Sequence, residues 1–223
     1  MTFSLIARCA RTGQFGMVIA SSSPAVAARC AHVRAGVGAV ASQNVTDPAL
    51  GPLVLDQMDA GQSAPDALAH VTTGRPHIEY RQLLVIDAQG RTAIHSGRQV
   101  LGLWAEAMGT DCAAGGNLLA NVTIPTAMVA AFETTPGSLG DRLMAALEAG
   151  RAAGGEAGPV HSAGLTLADR LSWPLADLRI DWADDPIGML RAAWDVYHPQ
   201  MAAYVQRATD PTQAPSYGVP GDE

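Results

Sequence analysis

Lysine is absent from this chain of 223 residues, and all 14 of its basic residues are arginine. The absence excludes every chemistry that needs a lysine amine. Such chemistries include a Schiff base with a carbonyl substrate or pyridoxal phosphate, a Ser–Lys hydrolase pair, and phosphate binding by the lysine of P-loop enzymes.

Positive charge is also scarce, since 14 basic residues stand against 21 acidic ones and the net charge is −7. The arginines are dispersed, so we expect no surface for nucleic acid or for an anionic membrane. No apolar run approaches the roughly 20 residues of a membrane-spanning helix, and no signal peptide is visible after Met1. We therefore expect a cytoplasmic protein that binds neither nucleic acid nor membrane.

Cysteine is sparse as well. Cys9, Cys30 and Cys112 are odd in number and widely spaced, which fits neither a disulfide framework nor a zinc site. We expect them to be small buried hydrophobic residues. The six histidines show no metal-ligand spacing such as HExxH, so we expect no metal and no other cofactor.

Apolar residues, by contrast, are sufficient for a core, because they make up 48% of the chain and charged residues only 16%. Glycine-containing turns separate short apolar stretches, and capping patterns mark helices between them. The predicted strands cover residues 2–7, 15–20, 36–41, 81–87, 91–95, 160–167 and 175–180. The predicted helices cover 47–61, 63–70, 125–133 and 138–151, and a last one begins at Asp185-Pro186.

The order of these elements predicts the fold class. Strands grouped in hairpins do not give the alternating βαβ pattern of a doubly wound sheet. Two packed antiparallel sheets with helices on their outer faces fit better, so we expect an α+β fold, a four-layer αββα sandwich. No linker separates two cores. We expect one domain over residues 1–210 and a loose Pro- and Gly-rich tail over residues 211–223.

Thr2 is the residue that suggests chemistry, because it follows Met1 at the start of the first predicted strand. A small second residue permits removal of the initiator methionine, which would give Thr2 a free α-amine. A hydroxyl is a weak nucleophile until a base takes its proton, and an α-amine with a pKa near 8 can be that base. Thr2 is therefore a candidate nucleophile.

Several motifs along the chain carry a family resemblance that extends to about Tyr197. They are TFSLIAR at 2–8, RAGVGAVASQ at 34–43, GNLLA at 116–120 and DLRID at 177–181. On these motifs the chain resembles an uncharacterised prokaryotic family, domain of unknown function 1028. The resemblance implies an αββα fold of the N-terminal-nucleophile (Ntn) hydrolase type. Members of that superfamily cleave amide C–N bonds through an N-terminal Thr, Ser or Cys.

The same resemblance suggests which residues would assist Thr2. In Ntn hydrolases the end of the second strand and a nearby third strand supply polar groups that set the pKa of the nucleophile. Here these positions fall on Ser21, Ser22 and Arg34, and Arg34 would lower the pKa of the amine as a fixed cation. An alternative role for Arg34 is a surface salt bridge. Ser22 and Arg34 are thus expected catalytic residues.

The oxyanion hole of this fold uses a backbone N–H at the end of the third strand, which corresponds to Ser42, Gln43 or Asn44. The side-chain amides of Gln43 and Asn44 are further candidate donors, and loop capping is their alternative role.

Three residues are expected to bind substrate: Ser21, Arg81 and Asn117. Arg81 is a candidate clamp for a carboxylate, which would make the substrate anionic, or else a surface charge. Asn117 follows two glycines that we interpret as a turn allowing close backbone approach.

Three functional hypotheses follow. The first is an N-terminal-threonine amidohydrolase that cleaves an amide or ureido bond of a small molecule through an acyl-enzyme on Thr2. The second is a non-catalytic protein of the same fold, a small-ligand-binding or oligomeric scaffold, in which Met1 stays and blocks the amine. The third is a hydrolase that depends on Cys112. In each case we expect a small-molecule ligand and self-association into a homo-oligomer.

Overall fold

The structure is a computed structural model, and it describes residues 1–221. The strands are β1 (Thr2–Arg8), β2 (Phe15–Ser21), β3 (Ala31–Arg34), β4 (Gly38–Asn44), β5 (Arg81–Asp87), β6 (Thr92–Ser96), β7 (Ala105–Gly109), β8 (Cys112–Asn117), β9 (Ser162–Ala168) and β10 (Ala176–Ile180). The helices are α1 (Val26–Cys30), α2 (Leu50–Asp59), α3 (Ala64–Thr72), α4 (Ile124–Thr134), α5 (Leu139–Ala152), α6 (Pro186–Tyr197) and α7 (Met201–Thr209).

Two antiparallel sheets form the centre of the molecule. The larger has the strand order β10-β9-β2-β1-β8-β7, and the smaller has the order β3-β4-β5-β6. Helices α4, α5 and α6 pack on the larger sheet, while α2 and α3 pack on the smaller. The sheets face each other through β1, β4, β5 and β8. The α+β fold class and the αββα layer order predicted from the sequence are confirmed.

Alternation along β1 shows how the sequence builds these layers. Phe3 and Leu5 belong to the core between the larger sheet and its helices, whereas Ile6 belongs to the core between the two sheets. Successive side chains of a strand point to opposite faces, so Thr2 and Ser4 share the inter-sheet face with Ile6. The nucleophile candidate therefore lies at the edge of the space between the sheets.

The predicted helix starts are visible as caps. Ser63 Oγ accepts a hydrogen bond from the Asp66 backbone N–H at 3.2 Å, and Ser138 and Asp141 form a reciprocal capping box. Such caps satisfy N–H groups that have no partner within the helix.

The glycine-rich stretch before Asn117 corrects one prediction. Residues 115–117 were expected to form a turn, but they belong to β8, a buried strand that pairs with β1 and β7. The glycines are needed for packing: a Cβ on Gly115 would lie 3.2 Å from Leu84 of the opposite sheet, and one on Gly116 would lie 2.6 Å from Leu119. Small residues at these positions let the layers approach. Strands β3 and β7 and helices α1 and α7 were also not predicted.

The expected tail, residues 211–223, begins with a short 3-10 helix at Pro211–Gln213. Its last two residues lie outside the part of the chain that the structure describes. Within residues 1–221, no helix has the length and apolar character needed to cross a membrane. The three cysteines are buried free thiols, as predicted.

Candidate active site

A row of four polar side chains crosses one end of the larger sheet. Thr2 pairs with Asn117 on β8, and Ser21 of β2 pairs with Ser162 of β9. Thr2 Oγ1 lies 3.4 Å from Ser21 Oγ, which joins the two pairs. All four residues are buried, and Thr2 is only 5% exposed. Polar groups withdrawn from water in this way need partners, so the row is a defined hydrogen-bonding site.

The carbonyl group of Met1 lies within this row. Its oxygen is 2.5 Å from Thr2 Oγ1, and it also accepts a hydrogen bond from Ser21 Oγ. Ser21 Oγ in turn accepts the backbone N–H of Ser23 at 3.0 Å. Two hydroxyl groups thus converge on one carbonyl oxygen, and Ser21 Oγ is the one that could still donate to the carbonyl of an acyl group bonded to Thr2 Oγ1.

Glu156 is an acidic residue that contacts the segment following Ser21. Both of its carboxylate oxygens lie 3.1 Å from the Ser22 backbone nitrogen, and Leu119 pairs with Glu156 in an isolated bridge that fixes its backbone. Burial raises the pKa of Glu156 to about 7, although the positive charge on the Met1 α-amine and the hydrogen bonds from Ser22 lower it. Ser22, an expected catalytic residue, thus holds a carboxylate that was not among the expected site residues.

The sequence contained one signal for Glu156. It is the only charged residue between Arg151 and His161, in a glycine-rich stretch that separates a predicted helix from a predicted strand. A lone carboxylate in such a stretch is notable, but its neighbour Ser22 is more than 130 residues away in the chain, and only the fold brings the two together.

A seam of hydrogen-bonded side-chain amides, those of Gln43, Gln82 and Asn117, runs from the row into the space between the sheets. Gln43 Nε2 donates to the Gly115 carbonyl and Gln82 Nε2 to the Gly116 carbonyl, both at 3.3 Å. These carbonyls can only accept, so they fix the orientation of both amides. Ser4 Oγ donates to Gln43 Oε1 at 2.7 Å. Gln43, an expected oxyanion donor, therefore uses its amide group within the seam.

Asn117 ends this seam. Its Nδ2 donates to Gln82 Oε1 at 3.2 Å, and Gln43 Nε2 donates to the same oxygen at 2.9 Å. Asn117 Oδ1 is a buried acceptor that has no partner among residues 1–221. The structure thus places Asn117 beside Thr2, where the sequence had suggested a substrate-binding residue, and leaves it one acceptor to offer.

Asn44 and Arg81 lie at the same end of the sandwich and hold loops. Asn44 Nδ2 donates to the Tyr80 carbonyl, and Asn44 Oδ1 accepts the Leu101 N–H at 3.3 Å. Arg81 donates to the Val45 carbonyl. These contacts correspond to the loop-capping alternative for Asn44, and they direct part of the Arg81 guanidinium to the backbone.

Arg34 does not lie near Thr2 but at the opposite end of the sheets. Its Nη2 is 2.8 Å from Asp56 Oδ1 in a surface salt bridge. Arg34 also lines a cavity with Ala168, whose partner Phe15 is at the opposite end of β2 from Ser21. The structure does not bring Arg34 to Thr2, contrary to the expectation, because the hairpin between β3 and β4 carries it to the far end of the sheets.

Cys112 does not have the properties of a nucleophile. It is fully buried in β8, and burial raises the pKa of its thiol to about 12. A thiol acts as a nucleophile through its thiolate, so this environment argues against the Cys112-dependent hydrolase. Within the described part of the chain, no group of His, Cys, Asp and Glu could hold a metal ion.

Comparison with known proteins identifies the family to which this chain belongs. The sequence matches the family described as "Family of unknown function (DUF1028)" over residues 2–190. Among solved structures, it is similar to protein SPO2555 from Silicibacter pomeroyi, a DUF1028 protein, with 29% identity, a TM-score of 0.82 and 88% of each chain covered. It also aligns with Anbu (ancestral beta-subunit) from Yersinia bercovieri, with 13% identity, a TM-score of 0.39, and 91% of this chain and 97% of that chain covered. No curated protein matches the sequence.

Proposed function

This chain belongs to the DUF1028 family, a family of unknown function, and from the geometry of its site we propose that it is an N-terminal-threonine amidohydrolase of the Ntn type. It would cleave a C–N bond, amide or ureido, of a small molecule. The observation that carries the proposal is the position of Thr2, whose buried hydroxyl meets Ser21 Oγ and the Met1 carbonyl oxygen at the start of a central strand.

Removal of Met1 would convert this arrangement into a nucleophile with its own base. The α-amine of Thr2 takes the proton of Thr2 Oγ1 as the oxygen bonds to the carbonyl carbon of the substrate. Ser21 Oγ, which now donates to the Met1 carbonyl, would then donate to the oxyanion. A donor of this kind is worth about 3 kcal/mol of transition-state stabilisation.

Two further steps complete the reaction. The ammonium group of Thr2 returns its proton to the leaving nitrogen as the C–N bond breaks, which leaves an ester on Thr2 Oγ1. Water, deprotonated by the same amine, then hydrolyses that ester and regenerates the hydroxyl. Asn117 lies beside Thr2 on the neighbouring strand, and the backbone N–H of Ser22, which follows Ser21, donates to Glu156.

Thr2→Ala and Thr2→Ser test this proposal. The first measurement is the intact mass of untagged protein expressed at low level. In protein that begins at Thr2, we expect Thr2→Ala to abolish hydrolysis of amides and Thr2→Ser to keep part of it, with both variants folded as judged by circular dichroism. Hydrolysis that persists in Thr2→Ala would contradict the proposal.

A mass that includes Met1, together with ligand binding but no hydrolysis, would instead favour the scaffold hypothesis. The Met1 carbonyl would then be a permanent partner of the Thr2 and Ser21 hydroxyls.

A further inference from the structure

Asn117 carries a side-chain oxygen that the rest of the site leaves unused. The side chain is fully buried, and no N–H or O–H group within residues 1–221 donates to its Oδ1. Buried polar atoms nearly always have a hydrogen-bond partner, and an acceptor without one is unfavourable. This oxygen therefore indicates a donor that the described part of the chain does not supply.

Hydrogen bonds to the opposite sheet fix which atom of the Asn117 amide is free. Asn117 Nδ2 donates to Gln82 Oε1 at 3.2 Å, and Gln82 Nε2 donates to the Gly116 carbonyl at 3.3 Å. Because a carbonyl can only accept, the Gln82 amide cannot be turned round, and Asn117 must present its Nδ2 to it. The free atom of Asn117 is therefore the oxygen, and only a donor can use it.

Ser21 and Asn117 lie on opposite sides of Thr2. The three residues belong to the adjacent strands β2, β1 and β8, and Thr2 is paired directly with Asn117. Their side chains project from the sheet on the face that points to the other sheet, because they stand an even number of residues from side chains of the inter-sheet core. Those core residues are Ile19, Ile6 and Ala113. The nucleophile thus has a donor, Ser21 Oγ, on one side and an acceptor, Asn117 Oδ1, on the other.

An amide group has the complementary pattern. Its oxygen accepts, its N–H donates, and in the trans form the two point in opposite directions. The backbones of β2 and β8, on either side of β1, are about 10 Å apart. An amide with a hydrogen bond at its oxygen and one at its nitrogen spans about 8 Å, so with the reach of the Ser21 and Asn117 side chains one amide can contact both. An ester has no N–H to offer.

The nitrogen of Thr2 does not supply the missing donor from the position it holds. The Met1–Thr2 peptide bond is trans, so the Thr2 N–H points away from the Met1 carbonyl. That carbonyl faces Ser21, and the N–H therefore faces β8, yet Asn117 Oδ1 receives no hydrogen bond from it. After loss of Met1 this nitrogen is the base of the proposed reaction, with its lone pair directed at Thr2 Oγ1. The substrate is left as the source of the donor.

Building on the proposed function, we infer that Asn117 Oδ1 accepts a hydrogen bond from the N–H of the scissile amide. The site therefore selects primary and secondary amides, ureido compounds included, over esters and N,N-disubstituted amides. Ser21 Oγ donates to the carbonyl oxygen while Thr2 Oγ1 bonds to the acyl carbon. As the C–N bond breaks, the nitrogen keeps the N–H that Asn117 holds and takes the hydroxyl proton from the α-amine. It leaves as ammonia or a primary amine, and water then releases the acid from Thr2.

The test uses a chain that begins at residue 2 and carries Thr2→Ala, which binds probes without consuming them. The probes are N-methylhexanamide and methyl hexanoate, which have the same shape and differ in an N–H against an oxygen. Their acyl chain is as long as that of Met1, whose Cε reaches to 3.2 Å from a Cβ built on Gly158. Binding is followed by NMR titration, on the side-chain amide signals of Gln82. We expect the amide to bind at least tenfold more tightly, because the ester leaves Asn117 Oδ1 without a donor.

Asn117→Leu in the same chain should remove this preference. Gln82 Oε1 keeps the hydrogen bond from Gln43 Nε2 at 2.9 Å, so the fold should persist, and Asn117→Ala takes the place of Asn117→Leu if it does not. Ser162→Ala is the matched control, because it removes another buried polar side chain of the row and should leave the preference intact. Equal binding of the two probes, no binding of the amide, or a preference that the Asn117 variant retains would each overturn the inference.

The two proposals fail in different ways, which a chain that keeps Thr2 distinguishes by release of methylamine from N-methylhexanamide. A preference for the amide that depends on Asn117, without methylamine release, would support recognition of the N–H and remove the hydrolase. Methylamine release without any preference in binding would keep the hydrolase and remove the role of Asn117.

Discussion

Glu156 illustrates how the fold changes the chemistry of a single residue. Its carboxyl group has a pKa of about 7, well above its usual value of 4.5, mainly because it is buried. Between these two values the folded protein keeps a proton that the unfolded chain releases. Stability therefore falls as the pH rises through this window.

This shift predicts the pH dependence of a variant. Glu156→Gln has no proton to lose, so relative to wild type it should gain about 2 to 3 kcal/mol in free energy of unfolding between pH 5 and pH 8. Urea denaturation at the two pH values, on chains that both keep Met1, measures the difference. Parallel changes in wild type and variant would show that the Glu156 carboxyl group titrates normally in the folded protein.

Other residues show what a residue type alone leaves open. Arg34 and Arg81 are both isolated arginines in the sequence. In the structure Arg34 forms a surface salt bridge with Asp56, while Arg81 donates to the Val45 carbonyl. A guanidinium can donate to carboxylates and to carbonyls alike, so the sequence gives the donor but not the acceptor that the fold places beside it.

At the scale of the elements, close contacts between layers depend on glycine. In β8, glycine was interpreted as a turn signal, yet the strand is buried and the glycines make room for neighbouring side chains. The two uses of glycine are alike in sequence. What distinguishes them is the neighbouring layer, which local pattern does not contain.

Helix α5 gives a testable case. A Cβ on Gly140 would lie 2.3 Å from the ring of Trp194 of α6, whose Nε1 donates to Asp141 at 2.9 Å. We expect Gly140→Ala to cost about 1 to 3 kcal/mol of stability, as overpacking does in other cores. Chemical denaturation measures the loss.

Gly150→Ala, in the same helix, is the matched control for this prediction. Its Cβ would meet its nearest neighbours at 3.0 Å, one of which is the flexible side chain of Met128. Its cost should therefore be the smaller of the two. If the two substitutions cost the same free energy of unfolding, the Trp194 ring can move aside and the contact between α5 and α6 is not tightly packed at Gly140.

For the whole molecule, the two sheets and the helices on each side share continuous packing. One core lies between the sheets, and one lies under each helical layer. Strands β1 and β2 contribute side chains to two of these cores, which couples the layers. That arrangement favours unfolding as one unit. The single domain over residues 1–210 and the homo-oligomer both stay predictions.

A truncation after residue 210 tests the domain prediction. Contacts to the removed segment, such as that of the Arg207 guanidinium with the Tyr217 ring at 3.7 Å, lie at the surface, where Tyr217 is 56% exposed. We expect a single calorimetric transition whose midpoint moves by less than about 4 °C, which corresponds to roughly 1 kcal/mol for a chain of this size. Two transitions, or a much larger shift, would show that the tail belongs to the folded unit.

The sequence by itself determined the layer order and the candidate nucleophile. Local signals sufficed, because hairpins, caps and alternation depend on neighbours in the chain, and Thr2 stands out by its place after Met1. Tertiary structure alone decided the partners. Glu156 meets Ser22, Asn117 lies opposite Thr2, and Arg34 is carried to the far end of the sheets. The physical reason is that a hydrogen bond or an ion pair depends on distance in space, which strand pairing sets between residues far apart in the chain.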